Sequence, residues 1–301
     1  MIAQIYEINS PKKAERCIEA GVDHIGSVLL SEADWRQPEL RETILVSNGT
    51  CVKNSIIPLF QDMEALCRLL DYYMPDFIHF CDSLTDDHGV VIDAERFIRI
   101  QSGIKEKFPE VGVIRSIPIP AKGTVLEFPT LKIASKLEPV SDIFLTDTWL
   151  GKEPVEGFIG ITGKRCSARI ARDLVVQSKI PVILAGGLSP ENVYSALMEA
   201  CPAGADSCTR TNRVDKEGKP IRFQKDFVRV KRFVEEVRRA EEEIRSKKEE
   251  LHQEIEKLKE LLRDREAALP RHSIRPHQIQ VIEALEEEIA AKERELGALK
   301  E

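Results

Sequence analysis

Pro181-Val182-Ile183-Leu184-Ala185 is a short apolar run that ends in Gly186-Gly187, and Ser189-Pro190-Glu191 then opens a helix. Glycines at such a turn let a bound group come close to the backbone. The free N–H groups and positive dipole end of a helix start attract anions. The arrangement suits a phosphate. It also suits a plain strand-to-helix turn, with Ser189 as N-cap and Pro190 at the first helical position. A second polar cluster, Arg271-His272-Ser273-Ile274-Arg275-Pro276-His277, has side chains that hold anions or metals, although a polar-capped hairpin turn is the preferred reading.

The elements that must position these residues change character near residue 235. Up to there, short β-branched runs alternate with amphipathic stretches. The strands are expected at Ile2–Ile8, His24–Leu29, Ser55–Phe60, Phe77–Phe80, Val111–Ile117, Ile143–Thr146, Pro181–Ala185 and Ala205–Cys208. Helical patterns lie between them at Lys12–Ala20, Met63–Tyr73, Ala94–Lys107, Ala168–Ser178 and Asn192–Ala200. That alternation predicts an α/β fold, a (β/α)8 TIM barrel over residues 1–235, with a doubly wound open sheet as the alternative. In a barrel the site lies at the C-terminal ends of the strands, where Gly186-Gly187 falls.

From residue 236 to 301 the composition turns to Glu, Lys, Arg and Leu. The apolar residues Phe223, Phe227, Val230, Val234, Val237, Ile244, Leu251, Ile255, Leu258 and Leu262 keep three- and four-residue spacing. One helix is therefore expected from Phe223 to Ala268, about 70 Å long at 1.5 Å per residue. Pro270 and Pro276 bracket a turn. A second helix follows with Ile282, Leu285, Ile289, Leu296 and Leu299 as its seam. So thin a stripe buries little alone, and the coiled-coil hairpin is expected to pair with another copy or a partner helix.

The 301 residues are 42% hydrophobic, which supports a sizeable core, and a formal net charge of −7 argues against a general nucleic-acid surface. No apolar run nears the ~20 residues that span a bilayer, and no signal-peptide pattern opens the chain. Seven scattered cysteines without a Cys-x-x-Cys pair fit reduced thiols of a cytoplasmic protein. Nothing calls for a metal or an organic cofactor. The expected partner is a phosphorylated small molecule, with no nucleic acid and no membrane.

Five segments together resemble the phosphoribosylanthranilate isomerase family over residues 1–235. They are Leu184–Val193 (LAGGLSPENV), Asp142–Thr148 (DIFLTDT), Ala20–Val28 (AGVDHIGSV), Pro75–Phe80 (PDFIHF) and Gly160–Lys164 (GITGK). The resemblance implies a (β/α)8 enzyme of tryptophan biosynthesis that performs an Amadori rearrangement, turning an N-linked phosphoribosylamine into a 1-deoxyribulose phosphate. That reaction needs a general acid for the ring oxygen and a general base for the C2 proton. Asp147 matches the family's acid, which requires a raised pKa.

Two departures stand out. The family's first-strand cysteine base is replaced by Tyr6, and a phenol is protonated at neutral pH. Glu7 is adjacent, but strand alternation aims it away from Tyr6, so it serves only if the strand ends early. His79, inward-facing by the family pattern, is the other candidate, against a buried structural role. In the eighth strand the family's Asp-Val-Ser-Ser-Gly becomes Asp206-Ser207-Cys208-Thr209-Arg210. The phosphate contacts there fall to Ser207, Thr209 and Arg210, with Arg210 compensating for the lost glycine or projecting into solvent. Arg36 is a weak match to the arginine that receives the anthranilate carboxylate, and Arg115 and Lys164 are further candidates for anion contact, against plain surface charges. The altered site leaves three functions open: this isomerase, a related isomerase or lyase on another phosphorylated ligand, and a non-catalytic metabolite-binding barrel with an interaction arm.

Overall fold

A computed structural model describes residues 1–124, 127–270 and 275–299. Eight parallel strands close into a barrel: β1 (Ile2–Ile5), β2 (His24–Leu29), β3 (Lys53–Pro58), β4 (Phe77–Phe80), β5 (Gly112–Pro120), β6 (Ile143–Trp149), β7 (Val182–Leu184) and β8 (Gly204–Ser207). Each strand pairs with the next, and β8 returns to β1 through Ile2↔Gly204 to Ile5↔Ser207. Closure rules out the open sheet.

Helices α1 (Pro11–Glu19), α2 (Pro38–Leu45), α3 (Met63–Tyr73), α4 (Ala94–Lys107), α5 (Thr130–Leu137), α6 (Ala168–Gln177) and α7 (Val193–Ala200) cover the outside. Local chemistry sets their ends. Asp62 accepts a bond from the Ala65 N–H at the start of α3, and Met74 ends that helix in a left-handed conformation. Two helices, α2 and α5, fall outside the expected set. Each is eight residues long.

Strand alternation sorts the side chains into two apolar cores. Tyr6, Ile114, Ile143, Leu145, Ile183 and Ala185 fill the barrel interior. Leu29, Ile56, Ile78, Phe80 and Val113 pack outward against Leu40 and Ile44 of α2 and Leu66, Leu69 and Leu70 of α3.

After β8 the chain makes an antiparallel hairpin, β9 (Asn212–Val214) with β10 (Pro220–Lys225). The expected helix start at Phe223 is corrected here: Phe223 sits in β10 at φ 60°, and α8 runs Phe227–Ala267. Asp226 supplies the cap, accepting bonds from Val228 and Arg229 N–H. A further helix, α9, spans Pro276–Ala298.

The contacts divide the chain into Met1–Arg239 and Ala240–Glu301. Within the second unit Leu251, Ile255, Leu285, Ile289 and Leu299 are buried, flanked by the ion pairs Lys247–Glu295, Glu254–Lys292 and Lys259–Glu293. His272 lies outside the described residues, and His277 falls in the first turn of α9. Among the described residues no helix is long and apolar enough to cross a membrane.

Candidate active site

The inward side chains at the C-terminal ends of the strands line a narrow cavity of about 70 Å³. Its apolar wall is built from Val28, Ile57, Leu59, Leu145, Phe158 and Ile159, and its polar groups include Tyr6, Glu7, His79, Asp147, Asp206 and Arg222. Asp147 and Asp206 also line a second, smaller chamber with Gly163, Gly186, Gly187, Thr209 and Arg210. The two carboxylates therefore sit at the junction of an apolar space and a glycine-lined cup.

Burial pushes the Asp147 carboxyl up to about 7, against the hydrogen bond from Ser116 Oγ at 2.9 Å, with the charge of Glu153 adding to the rise. Asp206 is likewise lifted to about 7 by burial. The Gln4 amide, donating at 3.2 Å, opposes the rise, and repulsion from Asp147 adds to it. Two carboxyls poised near neutrality provide an acid and a base in one site.

Tyr6, His79, Ser116 and Asp147 form one hydrogen-bonded chain. The Tyr6 hydroxyl lies 2.6 Å from His79 Nδ1 and 2.8 Å from Ser55 Oγ, and His79 Nε2 lies 2.9 Å from Ser116 Oγ. With Ser116 donating to Asp147, its oxygen accepts from His79 Nε2–H, which leaves Nδ1 to accept the Tyr6 hydroxyl. Burial lowers the His79 pKa to about 3, helped by the charge of Arg115, so the ring is neutral at pH 7. Burial raises the Tyr6 phenol well above its ordinary value, against the Ser55 bond. Neither group is a strong base. Tyr6 fits because residue 26 is glycine, where a Cβ would overlap the Tyr6 ring.

Glu7 reaches the cavity because β1 stops at Ile5 and Glu7 itself adopts φ 62°, so the alternation that aimed it away does not extend to it. Burial opposes its charge. Bonds from Asn212 Nδ2 (2.9 Å), Arg222 Nε (2.7 Å) and the Phe223 N–H (3.1 Å) outweigh that and hold its pKa below the ordinary value. Glu7 is an anchored carboxylate that ties the β9–β10 hairpin to the barrel mouth.

The cup takes shape from the loops after β6, β7 and β8. Gly187 adopts φ 64°, and a Cβ there would stand 2.7 Å from the Gly163 carbonyl oxygen, so only glycine allows this approach. Arg210 donates from Nε and Nη2 to that same carbonyl at 3.3 and 3.0 Å, which places its guanidinium on the cup wall. Thr209 lines the cup as expected, whereas Ser207 is turned away, donating to the Leu188 carbonyl at 2.8 Å. Ser189 is not the cap of α7. Residues 189–192 form a turn stapled by Asn192 Oδ1 accepting from the Ser189 N–H, and the helix begins at Val193.

Two expected anion contacts lie elsewhere. Arg36 is exposed, with its guanidinium 5.0 Å from the Tyr72 ring centre, away from both chambers. Arg115 sits on the outward face of β5, fully buried, paired with Asp82 at 2.8 Å and stacked 5.0 Å from Phe97 of α4. Its burial is compensated by that pair, and it holds strand and helix together. Sequence reasoning missed Asp206 as a site residue, although its place opening the eighth-strand motif was the available signal. It also missed Arg222, for which no signal stood out.

No family profile matches the chain. Among curated proteins it is 32% identical over 175 residues to the N-(5'-phosphoribosyl)anthranilate isomerase of Methanocella arvoryzae, covering 54% of this chain and 76% of that protein. It is 23% identical to the enzyme of the same name from Methanosarcina acetivorans, over 77% of this chain and 91% of that one. The fold is similar to the solved N-(5'-phosphoribosyl)anthranilate isomerase of Pyrococcus furiosus, with a TM-score of 0.54 and 20% identity over 79% of this chain and 99% of that one. Barrel, site and relatives agree: the chain belongs to the phosphoribosylanthranilate isomerase family.

Proposed function

We propose that this protein catalyses the Amadori isomerisation of a phosphoribosylamine bearing an aromatic aglycone, with Asp147 as general acid and Asp206 in place of the missing cysteine base. The observation that carries the assignment is the pair of carboxyls, Asp206 buried and Asp147 part-buried, each raised to about 7, between an apolar chamber and a glycine-lined cup. The sugar phosphate sits in the cup and the aglycone against the Ile57–Leu59–Phe158 wall. Protonated Asp147 gives its proton to the ring oxygen as the bond from the anomeric carbon to that oxygen breaks and the nitrogen lone pair forms the iminium. Ionised Asp206 then removes the C2 proton. The enaminol gains a proton at C1 and loses its hydroxyl proton, leaving the ketone, so the product is an isomer of the substrate. Ser116 and His79 hold Asp147 in place.

The decisive experiment follows the loss of anthranilate fluorescence from freshly made phosphoribosylanthranilate, against its spontaneous decay. Wild type turns over. Asp147→Asn and Asp206→Asn each lose roughly 10²–10⁴-fold in kcat, the usual span for a general acid or base, while Tyr6→Phe stays within about tenfold. Full activity in Asp206→Asn would remove it as the base. Self-association through residues 240–301 is a further part of this reading, supported by Leu261, Ile279 and Val281, which remain exposed on the hairpin helices.

A further inference from the structure

Beyond the cup, the same surface opens into a groove lined by Lys122, Lys164, Arg165, Arg210 and Arg229. Gly163, Gly187 and Arg210 belong to both spaces, so cup and groove are continuous. The cations converge from four separate segments: the loops after β5, β6 and β8, and the first turn of α8. A single carboxylate, Glu191, faces them, and it is already paired with Arg229 at 2.8 Å. The chain as a whole is acidic, at −7, so this cluster runs against its overall charge.

The backbone carrying these side chains is fixed. Lys122 N–H donates to the Arg165 carbonyl at 3.0 Å, and Ala121 forms a β-bridge with Cys166. Thr148 Oγ1 holds the Lys164 carbonyl at 2.8 Å. The Lys122 and Lys164 side chains are exposed and make no ion pair or hydrogen bond among the described residues. A monophosphate seated in the cup is already served by the glycine turn and Arg210, and it leaves this charge unused.

We propose that the groove binds a second phosphoryl group, so that the site accepts ligands carrying a diphosphate whose inner phosphoryl occupies the cup. The inference rests on the cup being the phosphate seat of the function above. Several cations converging on one groove favour a multiply charged phosphate, since each can donate a charge-assisted hydrogen bond to it.

Titration calorimetry on the full chain tests it, with inorganic phosphate, pyrophosphate and citrate as probes, citrate controlling for bulk charge. Pyrophosphate is expected to bind at least tenfold tighter than either phosphate or citrate and to compete with phosphate. The variant Lys122→Gln is expected to lose most of that advantage, while its phosphate affinity, its turnover of phosphoribosylanthranilate and its melting midpoint hold at wild-type values. Equal affinities for phosphate and pyrophosphate, independent binding of the two, or a variant that weakens both equally overturns the proposal. If pyrophosphate binds tightly and phosphoribosylanthranilate is not turned over, the groove stands and the isomerase reading fails. If turnover is present without a pyrophosphate advantage, the reverse holds.

Discussion

Replacing Asp147 by asparagine is expected to stabilise the protein while it abolishes activity, and the size of the gain follows from the site. The carboxyl is part-buried at the barrel mouth, and its pKa stands at about 7 against 3.8 in its ordinary state. At about 1.4 kcal/mol for each tenfold change in proton affinity, holding it ionised in the fold costs about 4 kcal/mol. Below about pH 4 the carboxyl is protonated in both folded and unfolded chains, and the substitution gains nothing. Between pH 4 and 7 the unfolded carboxyl ionises first, so the wild type loses stability as pH rises, and the loss is complete above 7. The asparagine side chain has no charge to lose and still accepts the Ser116 hydroxyl, so the variant escapes that loss. It also lifts a repulsion from Asp206. The expected gain at pH 8 is about 2–4 kcal/mol, or roughly 5–10 °C in melting midpoint for a chain of this size. Urea unfolding of both proteins at pH 4, 6 and 8 measures it. A gain of equal size at all three pH values, or none at pH 8, would refute the argument that desolvation disfavours the charge at Asp147.

The same two carboxyls predict a bell-shaped kcat profile centred near pH 7, since Asp147 must be protonated and Asp206 ionised in the same molecule; a rate that is flat from pH 5 to 9 counts against the pair. Gly187→Ala should raise the KM for the phosphorylated substrate more than tenfold and leave kcat largely intact, because the added methyl meets the Gly163 carbonyl and deforms the cup; steady-state kinetics separates the two constants, and an unchanged KM would contradict the placement of the phosphate. Light scattering on the full chain and on a chain ending at Arg239 tests association through the hairpin: a multiple of the chain mass for the first and a monomer for the second is expected, and equal monomeric masses would dismiss it.

The barrel was legible because its strands are β-branched runs separated by amphipathic helices, and β2, β4, α3 and α4 fall on the expected residues. Asp147, Gly186, Gly187, Thr209 and Arg210, which the family resemblance brought forward, line one chamber. What stayed hidden depends on closure. The rise in the Asp206 pKa exists only once β8 meets β1 and burial removes water from its carboxyl. Arg115 has the chemistry of an anion ligand, and only the facing direction of β5 consigns it to Asp82 and α4. Glu7 defies strand alternation because β1 ends two residues before it. The β9–β10 hairpin escaped notice because its turn, Asp215-Lys216-Glu217-Gly218, is polar and few of its residues are buried.

The chain of hydrogen bonds from Tyr6 through His79 and Ser116 to Asp147 also constrains how this site can evolve. Replacing Tyr6 by cysteine in a single step would leave His79 Nδ1 without its donor and open a void beside Gly26, so the substitution is expected to destabilise the protein by itself. A change at position 6 is therefore expected to cost stability unless residues 26 and 79 change with it.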